Sequence, residues 1–180
     1  MASSSVRYFS RLSSSTHIGG QARYLSRYRR VLAIFIFALL LSGLSAFPLQ
    51  AEIFSVSHFL GIPDPSAFAS LHGLRHWIAF VAFGLQQTYA HFPFFGYTSD
   101  WLAFGHVVIA LFFILPLIDP RRYRGVLQVG LIACAGVFVI ALVCGPIRHI
   151  PWGWRLVDCS FGLFGAIPLL YCLRLTDRVD

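Results

Sequence analysis

Lysine is absent from this chain: all fourteen basic residues among its 180 are Arg. That absence assigns no function by itself. Charge of either sign is scarce, at 12% of residues, about half of the roughly 25% that covers a soluble domain. With 57% hydrophobic residues and a mean hydropathy of +0.72, much of the surface must face lipid. The four cysteines, Cys134, Cys144, Cys159 and Cys172, form no CxxC or Cys/His finger pattern, which argues against a zinc module. There is no Ser-centred nucleophile elbow, phosphate loop or dinucleotide fingerprint, so no complete catalytic constellation is in view. The net charge of +7 would suit nucleic acid, but position argues otherwise. Six Arg precede residue 31, beside an apolar run, where they act as topology signals facing anionic headgroups. The expected partners are therefore membrane lipids, a second copy of the chain or another membrane protein, and no nucleic acid.

What is present is apolar and periodic. Residues 1–30 carry Ser, Gly and Arg and no acid, and nothing there can build a core, so a disordered basic cytoplasmic tail is expected. The same composition also suits an organelle-targeting presequence; the plain tail is the reading adopted. Residues 31–50 (VLAIFIFALLLSGLSAFPLQ) form the first span, about the twenty residues that cross a hydrocarbon core of roughly 30 Å. The run is long for a signal-peptide core and no small-x-small cleavage site follows it, so it reads as an uncleaved anchor. Residues 51–70, with Pro63 and Pro65, read as a loop with a short turn of helix. Further spans are expected at 101–118, 126–145 and 156–173, the last kinked at Pro168. Together 31–175 make a single membrane domain, followed by a short C-terminal tail, 176–180.

Residues 71–92 are helical in pattern. His72, Arg75, His76, Gln86 and Gln87 share one side at 100° per residue, and Leu74, Trp77, Ile78, Val81 and Leu85 the other. That pattern predicts an interfacial amphipathic helix, with Phe83 out of place on the polar side. Arginine placement supports the assignment. With four spans, eleven Arg fall on the side of the N-terminus, the 119–125 turn and the C-terminus, leaving Arg75, Arg148 and Arg155 opposite. If 71–92 also spanned, the split would be eight against six. Cytoplasmic loops are rich in Arg, so four spans with both termini cytoplasmic are expected. The fold class predicted is an all-α integral membrane protein with four transmembrane helices plus one interfacial amphipathic helix.

Polar residues collect where spans two, three and four meet the outer face. Asp100 opens span two and His106 lies deeper in it. Arg148 and His149 follow span three, and Arg155 and Asp158 open span four. Arg155 and Asp158, three apart, are expected to pair within the helix, with His106 hydrogen-bonded between helices. In the functional alternative these six side chains line a small polar pocket, and Asp158 and His106 act as acid/base or ligand groups. Trp101, Trp152 and Trp154 suit an aromatic belt.

His72 and His76 are at i, i+4, a spacing at which two imidazoles share a metal, but no Glu follows His72, so this is not an HExxH site. A haem of b type needs two facing axial histidines, and only His106 is clearly within a span, with His149 or His91 as the other. No cofactor is therefore predicted, with haem b or a metal ion as the alternative. Cys144 and Cys159 could be bridged in an oxidising compartment; free, buried thiols are expected. Gly130, Gly136, Gly162 and Gly165 offer close helix packing without GxxxG spacing.

The words YTSDWLAFGHVVIA (97–110) and GPIRHIPWGWRLVDCSFGLFGAIPL (145–169) resemble a family of small bacterial multi-span inner-membrane proteins without assigned activity. The likeness covers about residues 71–173 and leaves out the basic tail. It implies a bacterial inner-membrane setting and brings no activity with it. The function expected is that of a non-enzymatic membrane component or small-ligand or lipid-binding accessory protein. The alternative is a membrane-embedded redox protein or enzyme with a His/Asp/Arg site at the outer face.

Overall fold

The computed structural model describes residues 3–177, with side chains from 21 to 177. Of the expected tails, 1–30 and 176–180, residues 1–2 and 178–180 lie outside the described residues. Among the described residues the chain is helical and has no strand. Four stretches are long and apolar enough to cross a membrane: Gln21–Ser45, Pro93–Ile118, Arg124–Ile147 and Trp152–Thr176. Large side chains such as Ile34, Ile132, Phe161 and Phe164 stand exposed along them, as expected of surfaces solvated by lipid rather than water. The chain divides into two compact units, one made of residues up to Phe37 and from Leu111 onward, the other of Ala38–Ala110.

The first unit holds the early part of α1 (Ser3–Ser45), then α5 (Ile114–Ile118), α6 (Arg124–Val139), α7 (Gly145–Ile147) and α8 (Trp152–Thr176). Helix α1 begins at Ser3, so residues 3–30, assigned to a disordered tail from sequence, are helical. Tyr28 explains why. Pro116 cannot donate to the Phe112 carbonyl, and the helix from 96 ends at Phe112, restarting as α5. The Pro116 carbonyl would next look to residue 120, but that residue is also proline and has no N–H. The Tyr28 hydroxyl, fully buried, donates to that carbonyl at 3.0 Å instead. Leu32 and Ile36 continue the buried face of α1, and Phe35 meets Phe113 edge-on with ring centroids 5.0 Å apart.

α6 and α8 are the main packed pair of this unit. Arg124, first in α6, pairs with Asp177 just past α8. Both side chains are about half exposed, so the pair contributes little energy, but it shows that the helices run antiparallel. Leu25, Tyr28, Asp119–Arg121, Leu175 and Thr176 line one shallow pocket at this same end. Small residues set the spacing. A Cβ on Gly162 would lie 2.7 Å from the Cys134 carbonyl oxygen, and one on Gly130 would meet Phe113 and Leu169. Gly165 abuts the Cys134 sulfur, while Gly136 faces open space.

The second unit holds the last turns of α1, then α2 (Leu49–Phe59), α3 (Gly73–His91) and α4 (Gly96–Phe112, to Ala110). Helix α1 stops at Ser45 and residues 46–48 form a turn, so the first span ends sooner than the sequence suggested and much of the expected loop is α2. Between α2 and α3, a 3₁₀ turn, Pro65–Ser70, is capped by Asp64, which accepts from the Ser66 backbone N–H (2.9 Å) and hydroxyl (2.8 Å). Those bonds hold the Asp64 carboxyl below the usual carboxylate range. Arg75 donates to the Gly61 carbonyl (2.8 Å), where Gly61 occupies the left-handed region at φ 67°, and His76 Nδ1 bonds the Phe68 carbonyl (2.8 Å). α3 is helical as expected and packs on α2 and this turn through Ile78, Ala79 and Ala82. Its protein-facing stripe is thus rotated from the apolar face read in the sequence. Phe83, out of place in that reading, packs against Phe68 (centroids 5.4 Å).

Two measurements test this packing. Tyr28→Phe leaves the Pro116 carbonyl without a partner and is expected to destabilise the detergent-solubilised protein by about 1 kcal/mol, read as a lower Tm. Gly162→Ala drives a methyl into a backbone carbonyl that cannot rotate away, and should cost roughly 1–3 kcal/mol; an unchanged Tm would mean that α6 and α8 are not in this contact.

Candidate functional site

The six polar residues singled out in the sequence divide between the two units. Asp100 and His106 are on α4 in the second; Arg148, His149, Arg155 and Asp158 belong to the first.

In the second unit, a cleft of about 480 Å³ is lined by Phe47, Pro48, Gln50, Ala51, Tyr89, Pro93, Gly96, Tyr97 and Asp100. Prolines shape it. Pro48 caps the start of α2 after the 46–48 turn, and Pro93 opens the 3₁₀ turn Pro93–Phe95 that leads into α4. Pro93, Gly96, Tyr97 and Asp100 follow three- and four-residue spacing, so one face of the α4 entrance forms a wall. The Tyr89 hydroxyl bonds the buried Ser99 hydroxyl at 3.2 Å, which fixes that ring. Tyr97 is braced edge-on by Trp101 (centroids 5.8 Å). Asp100 is half-buried and its carboxylate has no hydrogen-bond or ion-pair partner among the described residues. It is the one formally charged residue of the lining. The volume falls within the range of small-molecule sites, roughly 300–1,000 Å³.

His106 lies further along α4. Its Nδ1 bonds the Leu102 carbonyl of the same helix (2.9 Å), so the expected interhelical hydrogen bond is replaced by an intrahelical one. Gly43 of α1 presses against it, and a Cβ there would overlap His106 Cβ.

In the first unit, span three ends in a strained corner. Pro146 has no N–H for the Leu142 carbonyl, and the helix widens ahead of it into a π turn, Ile140–Cys144, in which the Gly145 N–H reaches the Ile140 carbonyl. The chain then stops in a Schellman arrangement. Ile150 N–H bonds the Gly145 carbonyl (2.9 Å) and His149 N–H the Pro146 carbonyl (3.0 Å). The residue in the left-handed position is His149, at φ 55°, where glycine is usual. Pro151 then precedes α8.

The expected Arg155–Asp158 clasp is absent. Side chains on a helix lean toward its N-terminus, and Arg155 leans back over the Trp152 ring, 4.6 Å from guanidinium carbon to centroid. Its methylenes lie against Gly145, where a Cβ would overlap them. Its Nε is buried without a hydrogen-bond partner. Asp158 is half-buried and also without a partner. Arg148 and His149 are exposed.

His72 is exposed and His76 Nδ1 is engaged by Phe68. Among the described residues, no three His, Cys, Asp or Glu come together to hold a metal ion. All four cysteines are free thiols, with Cys144 exposed and Cys159 and Cys172 buried. Sequence reasoning found Asp100 but missed Phe47, Gln50, Tyr89 and Tyr97. The signal for Tyr97 was its three-residue spacing from Asp100; the others carry no spacing that points to Asp100.

Compared with known proteins, the chain matches no family model, no curated protein and no solved structure.

The His149 backbone offers a direct check. If the left-handed position is only a turn, His149→Gly should relieve roughly 1 kcal/mol of strain and raise Tm. A lower Tm would show that the imidazole makes a stabilising contact that outweighs the strain.

Proposed function

We propose that this chain is a non-enzymatic multi-pass membrane protein that binds a small ligand in the cleft around Asp100. The observation that carries the reading is the partnerless carboxylate at the entrance of an apolar span, facing a cleft large enough for a ligand. A few placed polar groups in an otherwise apolar wall are what orient a ligand in such a site. The absence of a complete catalytic set in the sequence favours binding over chemistry.

The setting proposed is a bacterial inner membrane with both termini cytoplasmic and α3 lying in the outer interface. The packing of Leu25 and Tyr28 beside Asp119–Arg121 and the C-terminal end of α8, together with the Arg124–Asp177 pair, supports placing the basic tail, the 119–125 turn and the C-terminus on one side. The excess of Arg there favours the cytoplasm.

Reporter fusions test the orientation: one after Arg124 should read cytoplasmic and one inserted at Gly153 external. The reverse result would require α3 to span. For binding, a thermal-shift screen of the purified protein against small metabolites should find at least one that raises Tm. Ala51→Trp, which fills the cleft, should abolish that shift while leaving the ligand-free protein folded. A shift that survives in Ala51→Trp would move the ligand elsewhere.

A further inference from the structure

We infer that the Asp100 cleft selects an alkylammonium group, a positively charged amine carried by a small molecule or by a lipid headgroup; this rests on the ligand-binding reading above and assigns its chemistry.

Three features of the lining converge. First, its formal charge is a single negative one, from Asp100. Among the described residues no Arg or His joins the wall, and the chain has no Lys. A carboxylate that no protein cation answers is complemented by a cation brought from outside. Second, the walls beside it are aromatic: Phe47, Tyr89 and Tyr97. Ring faces carry negative potential and attract ammonium groups, with Asp100 supplying the net charge. Third, one of those rings is tethered before any ligand arrives, Tyr89 by its hydrogen bond with Ser99, and Tyr97 stands edge-on to Trp101, which lowers the ordering that binding requires. Anions are disfavoured by Asp100, and a bare metal ion would find one carboxylate and no further acidic or imidazole ligand in the lining. An organic cation with an apolar body satisfies both the charge and the rings.

Most of the other described acids are answered. Asp64 is answered by Ser66, Asp119 accepts from the Arg122 backbone N–H (3.1 Å), and Asp177 pairs with Arg124. Glu52 lies in the first turn of α2, where the helix dipole favours it. Asp158 also lacks a partner, but it lines neither of the pockets described.

The test uses the full chain, purified in detergent, with Cys144→Ser removing the exposed native thiol and Ala51→Cys placing a thiol in the cleft wall. Gln50→Cys serves as a second reporter should the first fail to fold, judged by gel filtration. A cationic methanethiosulfonate should modify the reporter about tenfold faster than an anionic one, as an attraction of about 1.4 kcal/mol implies. Asp100→Asn should erase that bias. Choline or ethanolamine should slow modification, and the neutral isostere 3,3-dimethylbutanol should not. Protection by the neutral isostere equal to that by choline would leave a ligand site but overturn its charge selectivity. No protection by any of the three, with equal rates for both reagents, would overturn the binding reading as well. Nanodiscs separate the two sources of the amine. Slowing in phosphatidylethanolamine discs relative to phosphatidylglycerol discs, without added choline, identifies a lipid headgroup. Slowing only on addition of the soluble amine identifies a free molecule.

Discussion

The constraint on which this fold depends is that backbone N–H and C=O groups inside a membrane have no water to fall back on. Nine prolines make that constraint acute, because a proline within a helix removes a donor from its ladder. The response differs from place to place. Pro48, Pro65, Pro93 and Pro151 sit at helix starts, where no donor is needed. Pro146 is absorbed by a π turn. Pro116 and Pro120 together strand one carbonyl, and a buried tyrosine from another helix repairs it. The last case turns a local defect into a tertiary contact, which ties α1 to α5 and extends the first membrane helix back into what otherwise resembles a tail.

Much of this was legible before the structure. All four spans follow from runs of apolar residues of membrane length, and α3 from its helical periodicity. Their limits were less legible, for physical reasons. Hydropathy sees side chains, so it put the start of the first span at Val31, where the Arg residues stop. It could not see that Tyr28, among those Arg, has a buried carbonyl to satisfy. It also carried the span through to Gln50, because Phe47 and Leu49 are apolar, although Pro48 begins a new helix there. The cleft joins two segments distant in sequence. Its walls come from residues 47–51 and 89–100, and no pattern within either segment reveals the other.

The Arg155–Asp158 expectation failed for a reason that applies to helices in general. Residues three apart share a face, but the direction along the axis matters as much as the spacing. Arg155 has Trp152 three residues before it and Asp158 three residues after it. The Cα–Cβ vector points toward the N-terminus, so the long side chain meets the ring first. Gly145 then leaves room for the methylenes. The result is a guanidinium stacked on a ring with one nitrogen buried and unbonded, an arrangement that fixes the α7–α8 corner by packing rather than by an ion pair.

Charge scarcity gives the remaining polar residues their meaning. In a soluble protein a lone surface carboxylate is unremarkable, since water answers it. Here the acids are few, and most are matched by a hydroxyl, a backbone donor, a helix dipole or an Arg. Asp100 and Asp158 are left over, and of the two only Asp100 lines a cleft, beside aromatic rings. The same composition that makes the chain a membrane protein thus makes this one residue informative. A wall that lacks basic side chains leaves room for a ligand to supply the charge, and aromatic faces decide what kind of charge fits. Replacing Asp100 by Asn keeps shape and hydrogen-bonding capacity but removes that charge, so the substitution separates recognition by charge from recognition by shape alone.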